Sequence, residues 1–149
     1  MINRLRVRVQ GESGFTLVEL LVVMLILGLL AAIAIPAFFN QRTKAQDAEA
    51  KSTVKTAQTA METYATDNNG AYTGADRGKL KAIEPTLSSA SSGSNTITTL
   101  TVASNAYTLT VTSSSGNTFS ILRATDGSLT YPCTPTSGAG GCPGSQGWG

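Results

Sequence analysis

The chain contains no histidine and only two cysteines, and charged residues are scarce. Without histidine, Ser-His-Asp and Cys-His catalysis and every histidine-based metal site are excluded. Two cysteines alone cannot fill a four-ligand zinc site. The 149 residues are 13% charged, against roughly 25% in ordinary soluble domains. The length predicts one domain, and neither a metal nor another cofactor is expected.

The few charges are spread unevenly along the chain. Residues 1–14 form a short leader with three arginines and one acid. Residues 15–39 are almost wholly apolar, whereas residues 40–69 are polar and charged with few helix breakers. The remaining residues are rich in Ser, Thr and Gly and carry little charge.

The apolar segment is long enough to cross a membrane. From Leu20 to Phe39 there are 20 consecutive residues without a charge, and a helix of that length spans about 30 Å, the thickness of a bilayer's hydrocarbon core. Three interpretations are open. The segment is a plain anchor, a filament-forming helix, or a secretory signal peptide with its Ala-x-Ala site at Ala32–Ala34.

The orientation of this span does not follow from its flanking charges. Three basic residues precede the span and three follow it closely, so the positive-inside rule does not determine its orientation. The cysteine pair favours an outer C-terminus, because stable disulfides belong outside the cell. We therefore expect the N-terminus inside.

Residues 40–69 are predicted to continue the same helix. Their apolar positions recur at spacings of four and three, which places on one stripe Ala50, Val54, Ala57, Met61 and Tyr64. The helix should run from about Thr16 to Asn68, with Gly70 as its left-handed cap. Gly28 and Pro36 should disturb it, so a kink or locally melted stretch is expected between them.

The C-terminal half predicts a small antiparallel sheet packed on that stripe, which makes the fold class α+β. Residues 70–95 are expected to be a loop, and residues 96–132 alternate as strands over 96–102, 107–112, 117–122 and 128–131. Residues 133–149 form a C-terminal loop and tail. Cys133 and Cys142 enclose eight residues, and a disulfide there should stabilise the fold by roughly 2–3 kcal/mol through chain entropy.

The most informative residues are Gly14-Phe15-Thr16-Leu17-Val18-Glu19. A lone carboxylate at the start of an apolar helix is costly, by about 2.5–3.5 kcal/mol at the centre of a span and less near its end. Such a charge predicts a functional site with a partner. The plain alternative is that Glu19 lies at the headgroup level and reaches water.

This stretch, between a basic leader and an apolar run, resembles the prepilin signature of type IV pilins and type II secretion pseudopilins. The specific likeness covers about residues 14 to 45; beyond them it is architectural only. It implies cleavage after Gly14 by a prepilin peptidase, N-methylation of Phe15, and a docking role for Glu19 during assembly. Gly28 and Pro36 fall where the family places residues flanking a stretch that melts on assembly, and the Cys133–Cys142 tail resembles the closed loop of many pilins.

The resemblance also implies the partners and the location. They are further copies of the chain, minor pilins, a cytoplasmic assembly ATPase and an inner-membrane platform protein, with membrane lipid before assembly. The chain would be a single-pass protein of the cytoplasmic membrane and then part of a surface filament, without enzymatic activity. A pilus subunit is favoured over a pseudopilin of type II secretion or competence, because the sheet is clad in Thr and Ser.

Weaker signals point elsewhere. The segment from Gly74 to Lys79 is one residue short of a phosphate loop, and Leu80 replaces the magnesium-binding hydroxyl. No dense acidic cluster supports a calcium site. Arg77, Lys79 and Lys81 form a basic patch that leaves DNA open as a partner, because phosphate contacts need only Lys or Arg, but no motif supports it.

Overall fold

The computed structural model of the chain describes residues 14–135, 140–143 and 147–149. Most of the leader and residues 136–139 of the cysteine loop therefore lie outside the described residues. Contacts divide the chain into two compact units, Met1–Ala37 and Phe38–Gly149.

A single helix, α1, runs from Leu17 to Asp67 over 51 residues. Its bounds agree with the prediction to within one residue at each end. The C-terminus stops where Asn69 and Gly70 adopt positive φ angles of 55° and 81°. The Gly70 N–H then donates to the Ala65 carbonyl at 2.7 Å, which satisfies an orphan acceptor of the last turn.

The second unit packs one face of α1 against an antiparallel sheet. The five residues of the predicted stripe are all buried, which confirms the α+β fold. Prediction missed three further buried positions of the same face: Asp47, Ala60 and Ala65. From the sheet, alternating apolar residues complete the core: Ile97, Leu109, Val111, Phe119 and Ile121.

The sheet has five strands: β1 Thr96–Val102, β2 Tyr107–Thr112, β3 Thr118–Arg123, β4 Leu129–Thr130 and β5 Cys133–Thr134. Their order is β1-β2-β3-β4, and β5 also pairs with β3: β5 pairs with the first two residues of β3 and β4 with the last two. The first two strands match their predicted bounds and the third is shifted by one residue. Prediction missed β5, because two residues carry no periodicity.

The predicted loop over residues 70–95 was wrong in one part, because it contains helix α2, Arg77–Ile83. Asp76 caps it by accepting the Lys79 N–H at 2.9 Å, and Leu80 is fully buried. Seven residues are too few to show a helical period. The contact that stabilises this helix, between Leu80 and the core, is made with residues distant in the sequence.

Trp148, in the C-terminal tail, packs against the sheet and α1. The Trp148 indole N–H lies 3.1 Å from both the Ser120 and the Pro132 carbonyl oxygens, in the gap between β4 and β5. Lys51 and Lys55, one turn apart on α1, place their ammonium groups 5.8 and 5.5 Å from its ring centroid. The only tryptophan of the chain is therefore held at the junction of α1 and the sheet edge.

A polar cluster around Glu62 links the end of α1 to the sheet. The Glu62 carboxylate accepts the hydroxyls of Tyr72 at 2.8 Å and Tyr107 at 2.9 Å, and Arg123 lies 3.3 Å from it. Burial, followed by the hydrogen bond to Glu62, raises the pKa of Tyr72 to about 12. Both tyrosines therefore act as neutral donors that fix this side of the unit.

Asp47 anchors the cysteine loop to α1. Its side chain is fully buried, and its oxygens accept the Asn117 amide at 2.8 Å, the Gly141 N–H at 2.6 Å and the Ser115 hydroxyl. A disulfide joins Cys133 to Cys142 as predicted. A Cβ at position 141 would lie 2.8 Å from the Asp47 Cβ, so only glycine permits this approach.

We expect Asp47→Ala to lower the free energy of unfolding by about 3 kcal/mol, because it removes the acceptor shared by the buried Asn117 amide and the half-buried Ser115 hydroxyl and Gly141 N–H. Burial raises the pKa of Asp47, but hydrogen bonds from Ser115, Gly141, Ser113 and Asn117 outweigh it and hold the pKa below the usual 3.8. The carboxylate therefore stabilises the fold above that pH, and this contribution is lost as the pH falls through the lowered pKa.

Urea unfolding of the detergent-solubilised chain, followed by Trp148 fluorescence at neutral and acidic pH, measures both effects. Glu49→Ala, an exposed change half a turn along α1, should stay within about 0.5 kcal/mol of the parent. A loss no larger for Asp47→Ala than for Glu49→Ala would contradict the anchoring role.

Candidate functional site

The predicted cleavage junction lies immediately before α1. A Cβ built on Gly14 would meet no atom within 4 Å, and Phe15 is 82% exposed. The backbone from Gly14 to Thr16 has no regular secondary structure. The bond between Gly14 and Phe15 is therefore accessible and lies outside the helix.

Thr16 and Glu19 form a capping box at the start of α1. The Thr16 N–H and hydroxyl both donate to Glu19 Oε2 at 2.8 Å. The Glu19 N–H donates back to the Thr16 hydroxyl oxygen at 3.2 Å. Reciprocal bonds of this kind satisfy two helix N–H groups that have no partner in the first turn.

The capping box gives Glu19 a structural role that our reading of the sequence missed. The signal was present, because Thr-x-x-Glu before an apolar run is the sequence form of this cap. Among the described residues no donor contacts the second carboxylate oxygen, Oε1. Glu19 can therefore cap its own helix and still accept a further donor.

The residues that follow expose a continuous apolar surface. Every large apolar side chain from Phe15 to Phe39 is solvent-exposed, with Ile26 the least so at 47%. The most apolar 18-residue stretch is long enough to cross a membrane, and none of it is buried within the protein. Since fully burying one such side chain contributes about 1.5–3 kcal/mol, covering this surface is worth tens of kcal/mol.

The helix is continuous through Gly28 and Pro36. A melted stretch therefore does not interrupt the helix of the isolated chain, and a kink at these residues stays a prediction. Pro36 has no N–H to offer the preceding turn, and a Cβ at Gly28 would meet nothing within 4 Å. A role for these two residues in melting on assembly stays a prediction.

Two residues of the predicted basic patch donate hydrogen bonds to backbone carbonyls of the second unit. Arg77 donates to the Ile97 and Thr98 carbonyls at 2.6 and 2.9 Å, where the register of β1 shifts. Lys79 donates to the Gly74 carbonyl at 2.6 Å. Within the described ranges no group of three or more acids or cysteines could hold a metal ion.

Comparison with known proteins finds a family match for the N-terminal segment. A family model described as the prokaryotic N-terminal methylation motif matches residues 10–35. Type II secretion system core protein G of Pectobacterium carotovorum is 37% identical over 78 residues, which cover 51% of this chain and 49% of that protein. The type IV major pilin PilA of Myxococcus xanthus is 43% identical over 53 residues, 36% of this chain and 24% of that protein.

A third relative, the type IV major fimbrial protein FimA of Dichelobacter nodosus, is 42% identical over 60 residues, 40% of this chain and 38% of that protein. The chain thus matches less than half the length of each of these relatives. No solved structure matches it significantly. The comparisons confirm the resemblance to type IV pilins and pseudopilins that the residues around Gly14 indicated.

Proposed function

We propose that the chain is a structural subunit, most simply the main one, of a type IV pilus-like filament. It enters the membrane as a precursor, is cleaved after Gly14, is N-methylated at Phe15 and polymerises through the first half of α1. One observation carries this proposal. An exposed apolar helix segment follows an accessible Gly14–Phe15 bond and bears a single carboxylate, Glu19, in its first turn.

The exposed apolar surface requires a cover, and a filament provides one. In the monomer the cover is lipid; in a polymer it is the equivalent helix of other copies. Contacts between unlike surfaces of successive copies do not close into a ring, so they propagate into a filament. The subunit itself performs no chemistry in this process.

Glu19 has a specific use once the leader is removed. Cleavage after Gly14 takes away three of eleven basic and one of nine acidic residues, leaving eight of each, and creates a free α-amine at Phe15. Thr16 already orients Oε2 of Glu19 through two hydrogen bonds, so Oε1 remains for an ammonium group. A pair with the amine of a neighbouring copy would set the axial register of the two helices.

The partners and the topology belong to the same proposal. A prepilin peptidase acts on the cytoplasmic side, and an assembly ATPase and an inner-membrane platform drive extraction from the bilayer. Minor pilins complete the filament. The N-terminus is inside and the disulfide-closed unit outside, in agreement with the Cys133–Cys142 bond.

A pseudopilin of type II secretion is the second candidate. The match to core protein G of Pectobacterium carotovorum favours it, because that alignment covers 51% of this chain, against 36% for PilA. The hydroxyl-clad outer face of the sheet favours a pilus, since it suits repeated exposure to solvent. Long surface filaments would indicate a pilus subunit, and their absence would indicate a pseudopilin.

Two interpretations of another class make no use of Glu19: a secreted protein cut after Ala34, and an anchored surface domain that never polymerises. The test is the intact mass and N-terminal sequence of protein from native cells and from material sheared off their surface. We expect a chain that begins at N-methylated Phe15 and is enriched in sheared filaments. A start at Ile35 would show ordinary secretion, and an uncut chain would leave only an anchor; either result overturns the proposal.

A further inference from the structure

The first charged residues beyond the apolar segment are both basic. Arg42 and Lys44 are exposed on α1, a few residues past Phe39. They lie two positions apart and so point to nearly opposite sides of the helix. Among the described residues the one ion pair joins Arg123 to Glu62, so neither cation has an acidic partner there.

Asp47 lies three positions past Lys44, nearly one turn along α1, but the fold removes this acid from the surface. Asp47 is fully buried, and its oxygens are taken by donors from the β2–β3 turn and from Gly141. The described loop residues beside it, 140–143, carry no charge. The first exposed acid beyond the cations is Glu49, two turns past Arg42 on the same helix face. At this end of the second unit, neither cation therefore has an exposed acid within one turn of α1.

The residues on the apolar side of the cations are suited to a membrane boundary. Phe38 and Phe39 are exposed and stack edge to face, with ring centroids 6.3 Å apart. Phenylalanine side chains favour the hydrocarbon, and long basic side chains that follow them extend to the phosphates. The order along α1 is thus apolar, aromatic, cationic.

We propose that Arg42 and Lys44 form a collar that binds the phosphates of anionic lipid headgroups in the outer leaflet. The collar sets the depth of α1 in the bilayer, and these contacts must break when a subunit leaves the membrane for a filament. The inference rests on the membrane insertion proposed above. It requires Asp47 to be buried, a condition that only the tertiary structure supplies.

The test uses the full chain reconstituted in phosphatidylcholine vesicles. Electron paramagnetic resonance of spin-labelled phosphatidylglycerol and phosphatidylcholine measures the preference of the protein-bound lipid shell. Because a basic residue near a charged membrane surface is worth about 1 kcal/mol, Arg42→Gln and Lys44→Gln should each lower the preference for phosphatidylglycerol about five-fold at low salt. The difference should shrink at 1 M salt, where the Debye length is about 3 Å.

The matched control is the double variant Lys79→Gln/Lys81→Gln on α2. Lys79 lies 5.5 Å from the ring centroid of Tyr64, and Tyr64 is about 30 Å further along α1 than Lys44 at 1.5 Å per residue. This control should leave lipid preference unchanged. An equal loss in the control, or no loss in Arg42→Gln/Lys44→Gln, overturns the collar.

Flotation of the vesicles separates this inference from the proposed function. A chain that does not float with lipid contradicts membrane insertion itself. If the chain floats, but its preference for phosphatidylglycerol is the same with and without the Arg42→Gln and Lys44→Gln changes, the collar alone is contradicted.

Discussion

Glu19→Gln is expected to lower filament yield about a hundredfold or more while leaving membrane insertion intact. Glutamine can replace glutamate in a capping box, so the start of α1 should persist. The change removes only the charge that would pair with the Phe15 amine. Leaving one partner of a buried ion pair alone costs about 3–5 kcal/mol, and each 1.4 kcal/mol is a factor of ten.

Thr16→Val is the matched control, because it removes the hydroxyl from the capping box and keeps the charge of Glu19. Losing an N-cap costs about 1 kcal/mol, so a yield reduced only several-fold is expected. Sheared filaments and membrane fractions should be quantified from the same cells. Equal defects in the two variants would assign Glu19 to helix capping, and normal yield from Glu19→Gln would remove its docking role.

Gly14→Arg is expected to abolish processing and leave an uncut, membrane-bound precursor without filaments. The structure excludes a folding explanation for that result, because a side chain at Gly14 would enter open space. The effect would therefore arise where the peptidase must accept the residue before the scissile bond. Intact mass of the membrane fraction measures it, since the precursor keeps the fourteen leader residues.

Ser13→Arg provides the control for charge, since it adds the same side chain one residue earlier and keeps Gly14. Its processing should match that of the parent. Efficient cleavage of Gly14→Arg would contradict the assignment of the junction, and a failure of both variants would point to the charge of the leader rather than to Gly14.

The candidate site could be found from the sequence because each of its parts is local. Glu19 is conspicuous in an apolar run, and Gly14-Phe15 stands directly before it. Even the capping box joins residues only three positions apart, so its sequence signature, Thr-x-x-Glu, is local as well. Whether Oε1 of Glu19 accepts an ammonium group, in contrast, depends on another copy of the chain.

The second unit shows where prediction from the sequence stops. α2 is too short to have a detectable period, and it forms because Leu80 enters the core. Arg77 appeared to be part of a surface patch, yet it binds carbonyls of β1, 20 and 21 positions away. Whether Trp148 packs depends on a gap between β4 and β5 that no local pattern describes.

The sequence by itself determined the extent of α1, the bounds of β1 and β2 and the apolar span, and it predicts the junction at Gly14, because hydrophobic period, chain length and capping chemistry act over a few neighbouring residues. Only the tertiary structure decided that Asp47 is a buried anchor. Its partners Ser115, Asn117 and Gly141 lie 68, 70 and 94 positions away. A carboxylate leaves water when enough donors converge on it, and such convergence is a property of the folded chain.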